Sequence, residues 1–263
     1  MRTEQLNPLS KARLSVVGLG PGDDALMTDQ VRDALANATD AFGYFPYVER
    51  LSGLEHLRLH ASDNREELER ARAALDCASE GRQVLMLSSG DPGVFAMASA
   101  VFEVLDLASA EERERWAGVD VQVLPGITAM LAAAARLGAP LGHDFCAINL
   151  SDNLKPAAVI ERRVRLAVQA DFAMAFYNPS SASRPEGFAR VLRVLKEECE
   201  PGRLICFARN VSRADERLQV HALEAVDASM ADMRTLVIVG SSTTRRVGRH
   251  VYTPRSYGMQ TRG

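Results

Sequence analysis

Apolar positions along this chain fall into short blocks separated by longer amphipathic stretches. In the first half, the aliphatic and β-branched runs at 14–18, 40–44, 84–88 and 119–124 predict strands. Between them, 29–37, 64–80 and 94–107 predict helices, the last two with apolar residues three and four positions apart. Strands that alternate with helices in this way predict a parallel sheet covered on both faces.

A second series follows Pro125 and Gly126: a helix over 127–137, a strand over 146–150, a helix over 158–168, a strand over 171–176 and a helix over 190–199. Strands at 203–208, 218–221 and 235–239 complete it. The fold class is therefore α/β, with a domain junction near Thr128. The expected domains are 12–128 and 129–248, with 1–11 and 249–263 as terminal extensions. No Gly/Ser-rich linker, fixed-period repeat or low-complexity tract interrupts the chain.

Composition narrows the class. A chain of 263 residues with 47% hydrophobic and 25% charged side chains can build a real core and excludes disordered or collagen-like structure. Net charge is -3, from 34 acidic and 31 basic side chains, without the long basic run that nucleic-acid binding needs. The N-terminus (Met1, Arg2, Thr3, Glu4) lacks the apolar segment of a signal peptide, and Arg136 interrupts the longest apolar helix, so no membrane span is expected and a cytoplasmic location is. Cys77, Cys146, Cys199 and Cys206 form no C-x-x-C pair and have no histidines at ligand spacing, so they read as buried thiols in a reducing compartment and no protein metal site is expected. Arginines thicken in the second half, at Arg162, Arg163 and Arg165, at Arg209, Arg213 and Arg217, and at Arg245, Arg246 and Arg249. Such arginines either solvate helix faces or hold an anionic ligand.

Three strand ends carry glycine-rich turns. In VVGLGPGDD the first strand runs into Gly18, Gly20, Pro21 and Gly22, where glycines permit tight turning and close approach of a ligand to the backbone. A dinucleotide-binding turn competes for this segment, and Asp40 stands about where its ribose-binding carboxylate belongs. Two residues oppose it: Asp23 occupies the place of the third glycine, and Pro21 has no N–H to offer a pyrophosphate. A P-loop is excluded because no Gly-Lys-Ser/Thr follows. A nucleoside-type ligand suits the turn better, and a purely structural turn stays open. In LSSGDPGVFAMA the strand ends in Ser89, Gly90, Asp91, Pro92 and Gly93, and Asp91 either caps the next helix or binds a ligand's ammonium or hydroxyl groups. VLPGITAML supplies the third turn, and in a parallel sheet all three share one edge.

GLGPGD, SSGDPGVFAMA and PGITAM, in this order, resemble the tetrapyrrole methylases, and the resemblance covers nearly the whole chain. It implies a mostly parallel N-terminal sheet, a mixed C-terminal sheet, an active-site cleft between the two domains and a homodimer. FGYFPYV (42–48), LGHDFCAINLSDNLKP (141–156), FYNPSS (176–181), DMRTLVIVGSSTTRR (232–246) and VYTPRSYG (251–258) narrow it to the branch that methylates a precorrin at C17 in cobalamin biosynthesis. Ala157 departs from the aromatic residue expected after Lys155 and Pro156.

The resemblance implies S-adenosylmethionine as methyl donor. It implies contacts from Pro21, Ser89, Gly90, Asp91, Val94, Thr128 and Ala129, with Asn178 and Val211 on the second domain. The substrate it implies is precorrin-3B, contracted to precorrin-4 as it is methylated. Arginine-bearing loops at 180–184, 212–217 and 241–246 would face the macrocycle's acetates and propionates. Ring contraction moves protons, for which Tyr44, Tyr47, His143 and Asp144 are candidates. Each has an ordinary reading too, as a buried aromatic or a turn residue. An NAD-dependent oxidoreductase and a non-catalytic nucleoside-binding module are the readings from other classes.

Overall fold

A computed structural model describes residues 12–181 and 184–256 and divides the chain into two compact units, Met1–Thr128 and Ala129–Gly263. The first runs β1 (Arg13–Gly18), α1 (Asp29–Asn37), β2 (Asp40–Tyr44), α2 (Phe45–Glu49), β3 (Arg58–Ser62), α3 (Glu67–Ser79), β4 (Gln83–Ser88), α4 (Met97–Asp106), α5 (Ala110–Trp116) and β5 (Asp120–Leu124). Its five strands form an all-parallel sheet in the order β3-β2-β4-β1-β5.

Two-residue periodicity explains why both faces are covered. Leu14, Val16, Phe42, Val84 and Met86 point to one side and pack on Ala71, Ala74 and Leu75 of α3, Val101 of α4 and Trp116 of α5. Val17, Ala41, Leu85 and Leu87 point to the other, against Val31 and Leu35 of α1 and Val48 of α2. Each such aliphatic side chain contributes about 1.5–3 kcal/mol when fully buried.

The second unit runs α6 (Ala129–Leu137), β6 (Gly138–Ala139), β7 (Phe145–Asn149), α7 (Ala157–Gln169), β8 (Ala173–Tyr177), α8 (Gly187–Glu198), β9 (Leu204–Arg209), β10 (Arg217–Ala222), β11 (Thr235–Val239), β12 (Arg245–Val247) and β13 (His250–Tyr252). Its main sheet has the order β10-β9-β11-β8-β7 and is mixed: only β7 and β8 are parallel. A small sheet, β12-β13-β6, ties the strands that follow β11 to Gly138–Ala139 at the end of α6. Met174, Phe176, Ile205, Phe207, Val237 and Val239 line one face of the main sheet, covered by Ile160 and Val164 of α7 and Phe188, Val191 and Leu195 of α8. The rings of Phe188 and Phe207 meet edge to face at 6.0 Å.

Several elements differ from expectation for identifiable reasons. The helix expected from 94 begins at Met97, because Phe95 takes a left-handed φ of 54° and Ala96 is extended. Asp91 is not its cap; buried Ser88 accepts the Met97 N–H through Oγ at 3.3 Å. Helix α5 was not expected, although Ser109 and Glu112 form a complete capping box at its start. Strand β3 was not expected either, since its RLHAS sequence lies at the sheet edge and only partly buries its side chains.

Candidate active site

All strands of the first sheet point the same way, so the turns after β1, β4 and β5 lie on its carboxyl edge. The backbone joins them directly. Gly20 and Gly90 exchange both backbone hydrogen bonds, Gly20 N–H to Gly90 O at 3.2 Å and Gly90 N–H to Gly20 O at 2.8 Å. Glycine is dictated here by approach distance: a Cβ on Gly126 would lie 2.2 Å from Gly90 O and 2.6 Å from Gly18 O, and one on Gly18 would lie 2.5 Å from Gly90 O.

Asp91 knits the same turns. Its Oδ1 accepts the Gly93 N–H at 2.8 Å and its Oδ2 accepts the Gly126 N–H at 3.1 Å. The carboxylate thus bridges the second and third turns, a role that neither capping of α4 nor ligand binding had included. Thr28 closes the set: its Oγ1 accepts the Val31 N–H at the start of α1 and donates to Pro125 O at 3.4 Å.

Pro21 is buried directly after the first turn, and Ser89 and Val94 are half-buried along the second. The nearest α-helix after β1 is α1, nine residues past Gly20, where Thr28 already meets the Val31 N–H, and the short 3-10 turn at Asp24–Leu26 before it is capped by Asp23, whose Oδ1 accepts the Ala25 N–H at 2.9 Å. The first turn therefore lacks both the helix N-terminus and the N–H that a pyrophosphate would use. Asp40 completes the exclusion. It is the first residue of β2, at the opposite edge of the sheet, where it is 1% exposed and accepts from His60 Nε2 at 2.9 Å, Thr39 Oγ1 at 2.8 Å and Arg82 Nη1 at 3.3 Å. The ribose-binding reading of Asp40 is corrected to a buried structural carboxylate.

Arg50 braces the first turn, a contact that sequence reasoning missed. Its Nη2 donates to Leu19 O at 3.3 Å and Gly22 O at 3.1 Å, holding the first glycine turn from beneath, and pairs with Asp24. Only its place soon after FGYFPYV hinted at a role. Tyr44 and Tyr47 lie at the carboxyl end of β2 and in α2, on the same edge as the three turns, with their rings edge to face at 5.6 Å. Phe95, 47% exposed, holds its left-handed backbone at a cost of about 1–2 kcal/mol.

In the second unit the register of β7, β8, β9 and β11 sorts the remaining candidates by edge. Asn178 follows β8, and Asn210, Val211 and Ser212 follow β9; both strands end at one edge because each is antiparallel to β11 between them. Asn178, Asn210 and Ser212 all have left-handed φ, at 53°, 50° and 63°. The Asn178 side chain donates to Asn149 Oδ1 at 3.1 Å. Tyr177 brings the start of α6 to this edge, since its phenol accepts the Met130 N–H at 3.1 Å and so places Ala129 nearby.

His143 and Asp144 precede β7 and stand at the other edge, about 17 Å away along a five-residue strand. Asp144 is 76% exposed in its side chain, and its N–H is bonded to His143 Nδ1 at 2.7 Å. The structure does not bring this pair together with Asn178 and Val211. The loop at 241–246 follows β11, which runs the opposite way to β8, and joins that far edge too, with the Ser242 N–H on Asp171 at 2.7 Å. Of the three arginine-bearing loops, only those after β8 and β9 share the Asn178 edge. Residues 182 and 183 of the first, residues 257 and 258 of the VYTPRSYG segment, and the 1–11 extension lie outside the described residues.

Residues 13–227 match the family model of the Tetrapyrrole (Corrin/Porphyrin) Methylases. The chain belongs to the tetrapyrrole methylases. It is 51% identical to a precorrin-3B C(17)-methyltransferase of Sinorhizobium sp over 93% of this chain and 96% of that one. A probable cobalt-factor III C(17)-methyltransferase of Salmonella typhimurium is 38% identical over 94% of this chain and 100% of its own length. Among solved structures, the crystal structure of the methyltransferase CobJ superposes with a TM-score of 0.87 at 60% identity, covering 92% of this chain and 99% of that one. This tetrapyrrole methylase is thus an α/β methyltransferase with a parallel first sheet and a mixed second sheet. Among the described residues, no helix is long and apolar enough to cross a membrane.

Proposed function

We propose that this methylase transfers a methyl group to C17 of precorrin-3B and contracts the ring to precorrin-4, a step in cobalamin biosynthesis, with S-adenosylmethionine as donor. The observation that carries the reading is identity to the Sinorhizobium enzyme at 51% through nearly the full length of both chains.

The chemistry of the first unit's turns favours this donor over a dinucleotide. Pro21 and the distance to α1 leave no phosphate cradle, while Asp23 and Asp91 place carboxylates at this edge and Asp24 offsets the charge of Arg50, which suits a sulfonium and an ammonium better than a phosphate. Pro21, Ser89, Gly90, Asp91, Val94 and Thr128 of the first unit, with Ala129, Asn178 and Val211 of the second, are the proposed contacts. When bound, the donor supplies an electrophilic methyl. The protein's task is to align it with the acceptor carbon and exclude water. For proton movement in ring contraction we retain Tyr44 and Tyr47, which share the edge of the glycine turns. His143 and Asp144 are not retained, because they stand across the second sheet from Asn178 and Val211. The methylase is further proposed to act as a cytoplasmic homodimer, which light scattering after size exclusion tests for assembly.

Incubation of the protein with precorrin-3B and S-adenosylmethionine, followed by mass spectrometry and assignment of the methyl position, tests the function. One methyl gained at C17 with a contracted ring is expected, and no methyl gain overturns it. The cobalt-containing macrocycle, run in parallel, decides whether cobalt arrives as part of the substrate.

A further inference from the structure

The two arginines that are fully buried among the described residues are saturated with acceptors. Arg203, 5% exposed, donates from Nε and Nη2 to the two Glu200 oxygens at 2.8 and 2.9 Å and from Nη1 to Gly240 O at 3.0 Å. Arg70, equally buried, donates to Ser62 Oγ, Asp63 O and Met97 Sδ. These are structural arginines, and every guanidinium nitrogen has a partner.

Arg184 breaks the pattern more fully than Arg50, which keeps three acceptors on Nη2 and leaves only Nη1 buried without one. Its side chain is 11% exposed, yet Nε and Nη1 are buried with no hydrogen-bond acceptor among the described residues, and Nη2 meets only the weak acceptor Met233 Sδ at 3.8 Å. The nearest carboxylate oxygen, Asp152 Oδ1, is 3.9 Å from Nε, an ion-pair contact too long for a hydrogen bond. Asp152 is committed elsewhere: its Oδ2 takes Arg190 Nη2 at 2.6 Å. One carboxylate therefore serves two guanidinium groups, leaving a net positive charge in a largely desolvated place. A buried guanidinium without oxygen acceptors is costly to keep and is matched by an arriving carboxylate in fork geometry.

Position agrees with that chemistry. Arg184 belongs to the segment after β8, Asp152 to the one after β7 and Met233 to the one before β11, so all three lie at the sheet edge that carries Asn178 and Val211. The arginines in the loop at 241–246 are exposed and sit at the far edge.

We propose that Arg184 is a carboxylate receptor for the macrocycle, binding one acetate or propionate of the substrate, with Arg190 anchoring Asp152 so that Asp152 orients the Arg184 guanidinium. This rests on the tetrapyrrole substrate proposed above and names the residue that recognises its side chains.

The test compares the full chain with Arg184→Gln and Arg184→Lys, reading KM for precorrin-3B, the Kd of S-adenosylhomocysteine by calorimetry, and preference for the free acid over a methyl-esterified macrocycle in competition. Arg184→Gln is expected to raise KM by roughly 10–100-fold, the loss of one charge-assisted pair, while the Kd for S-adenosylhomocysteine stays within about twofold. Acid-over-ester preference should shrink by a similar factor. Arg184→Lys keeps the charge without the fork and should fall between, and it carries the test if the Gln variant fails to fold. If the wild type is active and both variants keep its KM and acid preference, Arg184 is a structural brace and the proposal falls alone. A wild type that neither binds nor methylates precorrin-3B removes the substrate reading, and this proposal with it.

Discussion

Gly126→Ala is the sharpest test of how the three turns make a site. The added Cβ would lie 2.2 Å from Gly90 O and 2.6 Å from Gly18 O, both backbone atoms that no rotamer change can move. Restoring even a tight 3.0 Å contact requires the third turn to retreat by about 0.8 Å. A shift of that size is also enough to break the 3.1 Å hydrogen bond from the Gly126 N–H to Asp91 Oδ2. Two costs follow: overpacking of about 1–3 kcal/mol, and a lost charge-assisted bond of about 1.5–3 kcal/mol. Together they put about 2.5–6 kcal/mol against the wild-type turn arrangement.

A ligand that needs this arrangement must supply that energy on binding. S-adenosylhomocysteine affinity, measured by calorimetry, should therefore drop at least about tenfold, with a lower melting temperature in the same sample. Gly53→Ala is the matched control, because nothing lies within 4 Å of its Cβ position, and it should change stability by no more than about 0.5 kcal/mol. Wild-type affinity and melting in Gly126→Ala would refute the claim that backbone approach of the turns shapes the site.

Asp91→Asn keeps the shape but places an amide NH2 against one of two N–H donors, so S-adenosylhomocysteine should bind about 10–100-fold more weakly by calorimetry; unchanged affinity would show that the bridge does not matter to the ligand. Burial alone would raise the Asp40 carboxyl, but hydrogen bonds from His60, Thr39 and Arg82 and the Arg82 charge outweigh it, leaving its pKa below the usual range. Its stabilisation is then complete above about pH 4 and lost as pH falls through the lower folded value. Urea unfolding should show Asp40→Asn less stable by about 1.5–3 kcal/mol at pH 7, with a gap that narrows in acid; a gap independent of pH would contradict this. Burial pushes the Cys206 thiol up to about 12, and burial with the Asp40 charge pushes Cys77 up to about 11, so both stay neutral at pH 8 and should resist Ellman's reagent until the protein unfolds. Rapid native labelling of either would count against these placements.

What could be read from the sequence, and what could not, divides along a physical line. Apolar blocks at 14–18, 40–44 and 84–88 became β1, β2 and β4 because strands of a parallel sheet buried on both faces read as short continuous apolar runs. A parallel sheet also fixes direction, so glycine turns after β1, β4 and β5 had to share an edge, and they do. In the second unit the same reasoning fails, since apolar periodicity carries no information about strand direction. Loops after β8 and β11 look equivalent in sequence, yet β11 runs antiparallel to β8 and sends the 241–246 arginines to the edge opposite Arg184. Likewise, Asp40 had the right spacing for a ribose ligand but sits at the start of β2 rather than its end, and Arg50 reaches the first turn through space from α2. Sequence motifs therefore located the three glycine turns of the first unit, where topology is repetitive. The proposed carboxylate receptor depends on which strands reverse, and only pairing register shows that Arg184, Asn178 and Val211 lie at the same edge of the second sheet.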